Sequence, residues 1–383
     1  MKNVLISGAG IAGPALAHWL ALAGCAVTVV ERAPAPRPGG QAVDFKGATH
    51  LKVLSRMGIL DDVRRRQTGG TDQTIIDAEG RALATIPREF TGGTVEILRG
   101  DLAALLHGHT ADRAEYVFGD TATSLTQTDD GVHVTFRHAA PRTFDLVVGA
   151  DGIHSTVRRL AFGPEAEFVD FLGHHYALAD IDLDTEPVMF NEPGRMVAVG
   201  GPKSPAFFVF ASPELDFDRY DVEQQRRIVA DAYRGGGWRV PELVERLPHA
   251  RNLYLDSISR VHVPTYSTGR VVLLGDSACG NTLGGFGSGL AVVGAYVLAG
   301  ELVAARGDHT RAFARYESLM RGYAKVAAKA NAGPFLAPPT RRRIALRNAV
   351  FRSRVLVKLL LKSTDWFATD IDLPDYAFTG TRS

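Results

Sequence analysis

Cysteine is scarce in this chain: 383 residues include two, Cys25 and Cys279. Two thiols cannot build a disulfide framework or a four-thiolate metal site. No His-Glu-x-x-His helix and no Cys/His ligand spacing occurs, so no metal ligand is assigned. Net charge is also missing. The 43 Lys+Arg against 42 Asp+Glu leave +1, which gives no global attraction to nucleic acid. No apolar run reaches the roughly 18 residues of a spanning helix, and no basic segment leads into an apolar one at the start. A cytoplasmic protein of a reducing compartment is expected, with no nucleic-acid partner and no integral membrane segment. No Ser/His/Asp set or carboxylate pair stands out, so no side-chain nucleophile is evident. Glycine is the exception, with 40 residues, above the usual share of about 7%. Without a collagen period or low-complexity tract, such a surplus points to loops where backbone approaches something closely.

Strand and helix patterns alternate from the start. Residues 2–7 read as a buried strand, 11–24 as a helix packed through Ile11, Ala15, Leu16 and Leu20, and 26–31 as a second strand. Such a crossover makes the strands parallel. Helices are expected over 49–66 and 101–112, and short strands between 115 and 150. From about 168 to 263 the texture turns strand-rich and aromatic, with one helix over 221–234. The βαβ texture returns at 269–305, and the rest is helical, interrupted at Pro334, Pro338 and Pro339. The expected fold class is α/β: a Rossmann-like domain with a parallel sheet, interrupted by a sheet-rich domain, plus a C-terminal helix. In residues, 1–70, 95–165 and 268–320 form the discontinuous nucleotide-binding domain. Segments 71–94 and 166–267 form the β-sheet substrate domain, and 321–383 a helical segment bridging the two.

Three motifs carry chemistry. Gly8-Ala9-Gly10-Ile11-Ala12-Gly13 follows a strand and opens a helix. The first glycine permits the turn, the second bares backbone for a pyrophosphate, and the third lets helix and strand pack closely. Glu31 ends the second strand, where a carboxylate accepts ribose hydroxyls and repels a 2′-phosphate. This motif alone does not separate NAD from FAD. The second motif runs from Asp145 through Gly149-Ala150-Asp151-Gly152 to Ser155 and Arg158. It reads equally as a turn with a Ser155 helix cap or as a cofactor contact. The third is the strand 270–274 followed by Gly275-Asp276, with glycines at 280, 284, 285, 287 and 289 before a helix. Glycine-exposed amides at a helix start form a site for developing negative charge.

In this order the three motifs resemble those of the class A flavoprotein monooxygenases. This is the p-hydroxybenzoate hydroxylase-like family, which includes phenol hydroxylases and tetracycline-inactivating enzymes. The resemblance covers residues 1 to about 320. It implies bound FAD, held by Gly8, Gly10, Ala12, Gly13, Glu31 and Arg32 toward the adenosine, by Arg99, by Asp276 at the ribityl chain, and by Gly287, Ser288 and Gly289. Asp151 lies in the family's second fingerprint, linked to FAD and NAD(P)H use. Segment 39–44 resembles the loop beside the isoalloxazine, where the acid matching Asp44 contacts FAD and a residue aligned with Arg37 faces the nicotinamide. The chain departs from the family in reading Ser277-Ala278-Cys279 for Ala-Ala-His, in lacking a nearby proline, and in carrying Ala291 for an asparagine. These changes alter the surface beside the flavin while the glycines keep the backbone donors.

The implied activity is that of an FAD-dependent NAD(P)H monooxygenase, a hydroxylase. NAD(P)H, a transient reductant without a Rossmann motif of its own, reduces FAD. O2 then gives a flavin C4a-hydroperoxide that hydroxylates an aromatic or polyketide-like small molecule. The cofactor carries this chemistry, so no catalytic side chain is certain; His175 and Arg195 are candidates to polarise a phenolate. The expected pocket draws on Tyr176, Phe190, Phe207, Phe208, Phe210 and Phe286. Alternatives are an antibiotic-inactivating (tetracycline-type) monooxygenase, a related reductase or oxidase, and a flavin-bearing binding protein without oxygen insertion. A monomer or weak homodimer is expected.

Several residues read more simply as structural. Cys279 has no resolving cysteine beside it, and Cys25 lies where helix meets strand. His174 and His175 point to opposite faces of a strand, so at most one reaches a pocket. Segment 341–362 holds eight cations and no acid, interleaved with aliphatics. It fits either an anionic membrane surface or, as the resemblance implies, a helix bracing two domains.

Overall fold

The computed structural model describes residues 3–36, 40–91, 93–201, 206–284, 287–325, 330–367 and 372–378. The opening unit forms as its pattern requires. Strands Asn3–Ser7 and Ala26–Glu31 pair in parallel, with helix Ala12–Leu22 crossing between them. Val4, Leu5 and Ile6 are fully buried, because both faces of a parallel sheet are covered. The sheet has six strands in the order Ser267–Thr268, Val271–Leu273, Leu146–Gly149, Asn3–Ser7, Ala26–Glu31 and Glu115–Phe118. All neighbours are parallel except the antiparallel edge strand Ser267–Thr268. The three sequence motifs therefore leave three adjacent strands at one carboxyl edge, where open α/β sheets bind ligands.

Two expectations are revised here. The helix read over 49–66 is two helices, Ala48–Arg56 and Leu60–Arg65, parted at Gly58, whose φ of +75° suits glycine. Helix Gly287–Ala304 is long and apolar enough to cross a membrane, with 18 residues and a mean hydropathy of 1.6. Interleaved Gly, Ser and Tyr hide this in the sequence. The helix is nevertheless 78% buried, packed between Ala12–Leu22 and His309–Ala324. A helix apolar on all sides belongs in a core.

A second sheet has seven strands ordered Leu253–Val261, Val169–Ala179, Ala206–Ala211, Arg195–Val199, Val188–Glu192, Gln73–Ile76 and Ala82–Ile86. Side chains alternate across it, and its two faces have different covers. Ala177, Phe190, Val197, Phe208 and Phe210 pack against the helices Val222–Ala232 and Val240–Arg246. Tyr176, Leu178, Met189, Met196, Val209 and Ile258 face the other way, toward Ala337 and Phe351.

The basic C-terminal segment forms helices Arg341–Arg352 and Arg354–Phe367. The first braces the sheet through a buried cation. Arg347 donates to the carbonyls of Phe335 (2.9 Å) and Leu336 (3.3 Å) and to Asn191 Oδ1 (2.8 Å). Burial pulls its pKa down to about 10. On the second helix Val355, Leu356 and Leu359 are exposed beside Arg354 and Lys358. Arg347→Ala leaves the half-buried Phe335 and Asn191 acceptors unmet. It is expected to cost roughly 2 kcal/mol of stability, read as a lowered denaturation midpoint, with FAD content retained.

Candidate active site

The glycines of the first loop divide by what surrounds them. Gly8 has φ +108°, and a Cβ there would lie 2.5 Å from the Ala150 carbonyl oxygen. A Cβ on Gly13 would lie 1.9 Å from the Gly8 carbonyl oxygen. Both positions serve chain packing. Gly10 is different: its Cβ would meet only an Arg99 guanidinium nitrogen at 3.6 Å. Bare backbone thus opens at a helix N-terminus, the surface a pyrophosphate requires. Ala12 sits in the first turn of that helix. Glu31 accepts from the amides of Ala9 and Ala33, each at 2.8 Å, so its carboxylate also shapes the loop. Arg32 reaches Thr156 Oγ1 (3.0 Å) and the Tyr220 hydroxyl.

Asp151 joins the strand ends rather than facing open space. It accepts from Ser7 Oγ (3.2 Å), the Val157 amide (3.1 Å) and the Ser155 hydroxyl, while Ser155 caps helix Thr156–Ala161. Burial raises the Asp151 pKa, against these hydrogen bonds. Arg158, fully buried, donates to the Ser277 carbonyl at 3.0 Å, so the second motif is fastened to the third. The capping role is thus observed at the carboxyl edge of the sheet.

Asp276 begins the helix Asp276–Cys279. Burial raises its pKa and the Arg99 charge opposes that rise. Among the described residues neither the Asp276 carboxylate nor the Arg99 guanidinium has a hydrogen-bond or ion-pair partner. An unpaired acid and an unpaired cation flanking bare glycine backbone fit a phosphate-bearing, polyhydroxylated cofactor such as FAD. A family model described as an FAD binding domain matches residues 1–325. A flavin-dependent monooxygenase of Legionella longbeachae is 35% identical over 340 residues, covering 84% of this chain and 85% of that protein. The chain is an FAD-dependent monooxygenase of this family. Two solved tetracycline destructases resemble it throughout. Tet(51) is 30% identical with a TM-score of 0.83, covering 98% of this chain and 99% of its own. Tet(55) is 32% identical with a TM-score of 0.82 at the same coverage.

The monooxygenase's remaining candidate residues sort by sheet face. Tyr176 and Phe207 lie on the face near Arg99 and Asp276, whose charges both act on the Tyr176 hydroxyl. Phe190, Phe208 and Phe210 do not. They lie on the reverse face, where Phe208 and Phe210 pack on Tyr233 and Phe190 on Trp238. His175 shares that reverse face, stacked on Phe210 and bonded to Ser212 Oγ at 2.8 Å, and burial lowers its pKa to about 4. Arg195 caps the end of a helix there, donating to the carbonyls of Ala232 (3.1 Å) and Arg234 (3.2 Å). Neither lies on the Tyr176 face, because the alternation that turns Tyr176 forward turns His175 back, and Arg195 pairs across the ladder with Phe210. Arg37 and Phe286 lie outside the described residues.

Asp44 accepts from the Gly93 amide at 2.8 Å. Gly287 comes within reach of Asp276, its Cβ position being 3.3 Å from Oδ1, while a Cβ on Gly289 would lie 2.2 Å from the His50 ring. Gly289 is therefore needed for packing. Ser288 sits in the first turn of helix Gly287–Ala304. Burial pushes the Cys279 thiol up to about 12, so it is no nucleophile.

Sequence reasoning missed Phe90, Phe335 and Phe351, which pack together above the Tyr176 face. It also missed His154, whose Nε2 lies 3.0 Å from Asp256 Oδ1. Burial pushes His154 down, but its bonds to Asp256 and Glu165 win and raise its pKa. Burial pushes Asp256 up, and His154 holds it below the usual range.

Two outcomes follow for measurement. Gly13→Ala should lower the melting temperature of the apoprotein. Gly10→Ala should leave melting nearly unchanged and weaken FAD binding at least about tenfold, read by flavin fluorescence on dilution. The His154–Asp256 pair stabilises fully only above the ordinary Asp value of 3.8 and below the ordinary His value of 6.5. Its contribution is lost as pH falls through the lowered Asp256 value or rises through the raised His154 value. His154→Gln should therefore flatten the stability–pH curve on both sides of that window, measured by denaturant midpoints at pH values below 3.8 and above 6.5.

Proposed function

We propose that this monooxygenase draws reducing equivalents from NAD(P)H and uses O2 to hydroxylate an aromatic or polyketide-like small molecule. The observation that carries this reading is the wall of Tyr176 and Phe207 beside the unpaired Arg99 and Asp276. Bound FAD supplies the redox chemistry, accepting hydride and activating O2 for transfer of one oxygen atom. The chain binds, orients and excludes water. Gly10 and the N-terminus of Ala12–Leu22 take the pyrophosphate, Glu31 with Arg32 the adenosine end, and Asp276 a ribityl hydroxyl. Asp151 is a positioning residue, holding the strand ends that frame these contacts. Arg99, Asp44 and the amides at Gly287 and Ser288 would hold the flavin end, with the Arg99 charge and the amides supplying positive potential there. Phe90, Phe335 and Phe351 roof the substrate face against water.

The likeness to two tetracycline destructases over nearly the whole chain supports a second reading, inactivation of a polycyclic antibiotic. The membership of 71–94 in the seven-stranded sheet supports assigning 71–94 and 166–267 to substrate binding, with 1–70, 95–165 and 268–320 holding FAD and 321–383 bridging them. Two free cysteines suit a reducing, cytoplasmic setting for a monomer or weak homodimer.

The deciding experiment reduces the FAD-loaded protein anaerobically with NADH or NADPH, then admits O2 with phenols or tetracyclines. A product one oxygen atom heavier is the expected result. Hydrogen peroxide as the sole product with every ligand would overturn the reading in favour of an oxidase or reductase.

A further inference from the structure

The two helices of the basic C-terminal segment present different surfaces. Arg341–Arg352 packs inward through Arg347, Asn348 and Phe351. Arg354–Phe367 turns one aliphatic row inward, where Val357 and Leu360 pack on the cluster that contains Tyr176, Met189 and Phe351. A second row turns outward. Val355 is 68% exposed, Leu356 45% and Leu359 59%. Val355 and Leu359 are one helical turn apart, so they share a strip of surface. Single exposed aliphatics are ordinary on a protein surface; three on one stretch of helix mark a contact site.

Cations frame that outward row. Arg352, Arg354 and Lys358 are exposed. So are Arg341, Arg342 and Arg343 on the preceding helix, where Leu346, one turn on, is 69% exposed. Among the described residues none of these six cations pairs with a carboxylate; Arg352 donates to the Leu83 carbonyl at 2.7 Å. No acid occurs between Glu317 and Asp365, and 341–362 holds eight of the 43 Lys+Arg and none of the 42 Asp+Glu. The rest of the chain is therefore net acidic. Positive charge and exposed aliphatic surface coincide on one helix.

We propose that the outward face of Arg354–Phe367 docks on an anionic phospholipid surface. Val355, Leu356 and Leu359 enter the boundary between headgroups and acyl chains, while Arg352, Arg354 and Lys358 extend their charged ends to lipid phosphates. Each kind of contact needs the other, because three aliphatics bury little area and a few exposed cations hold weakly in salt. Charge decides among the occupants. A second copy of the chain would set cations against cations. A nucleic acid would take the cations and leave the aliphatics in water. An anionic bilayer satisfies both, and it repels the net-acidic remainder of the chain, which fixes this helix as the side that meets lipid. Because the inner row packs on the Tyr176 cluster, the docked helix lies between the bilayer and that face of the sheet.

The test is flotation of the FAD-loaded full chain with vesicles of phosphatidylcholine alone or mixed with phosphatidylglycerol, without substrate or turnover. Wild type should float with the mixed vesicles at low salt and not with the neutral ones. It should be released at about 1 M salt, where the screening length shortens to about 3 Å. Arg354→Gln with Lys358→Gln should weaken partitioning about fivefold for each cation removed. Val355→Ser with Leu359→Ser, which keeps every charge, should weaken it about tenfold. All four positions are exposed, and retained FAD content with an unchanged melting temperature shows that the variants fold. The proposal is overturned by wild type that stays behind with mixed vesicles, by equal flotation with neutral ones, or by a Val355→Ser/Leu359→Ser variant that floats like wild type. A concentration-dependent dimer in sedimentation that the same variant dissolves also overturns it, and assigns the face to a second copy of the chain.

Discussion

The contact between the Gly13 position and the Gly8 carbonyl sets the geometry on which the site depends. A helix can begin directly above the strand that feeds it only if no side chain separates them. With Cβ absent at Gly13 and Gly8 turned to φ +108°, the N-terminus of Ala12–Leu22 lies at the carboxyl edge of the sheet. Strands Leu146–Gly149 and Val271–Leu273 continue that edge, so Asp151 and Asp276 arrive beside the same opening. One close backbone approach thereby gathers residues separated by more than a hundred positions.

Polar ties then join what the sheets alone would leave separate. Arg158 links the Asp151 loop to Ser277, and His154 links it to the edge strand of the seven-stranded sheet through Asp256. Arg347 seals the opposite side, where the C-terminal helix meets the sheet. Each tie is a charged group with at least two hydrogen-bond partners, the condition under which burial of charge is tolerated, although the buried Nε of Arg158 has none among the described residues.

Much of this was legible in the residues. The spacing of Gly8, Gly10 and Gly13, and the strands leading to Glu31, Asp151 and Asp276, predicted strand ends that the structure gathers at one carboxyl edge of the sheet. Which face each aromatic takes was not legible. Phe207 and Phe208 look equivalent in sequence, yet a strand sends them to opposite faces with different covers. His175 and Arg195 fall on the reverse face for the same reason. Phe335 and Phe351 were invisible as neighbours of Tyr176 because a return of more than a hundred residues brings them over it. The helix Gly287–Ala304 shows the converse: its composition permits a membrane, and its burial between two helices assigns it to the core.

By itself, the sequence determined the local geometry: where strands end, which loops carry no side chains, and which acids stand at strand ends. These are short-range consequences of sterics and hydrophobic period, fixed within a few residues of each motif. Tertiary structure decided what those elements meet. It turned Tyr176 toward Arg99 and His175 away, left the Asp276 carboxylate without a partner among the described residues, and joined His154 to Asp256 across 102 positions. Pairings of that range follow from strand order and sheet register, which no local pattern encodes.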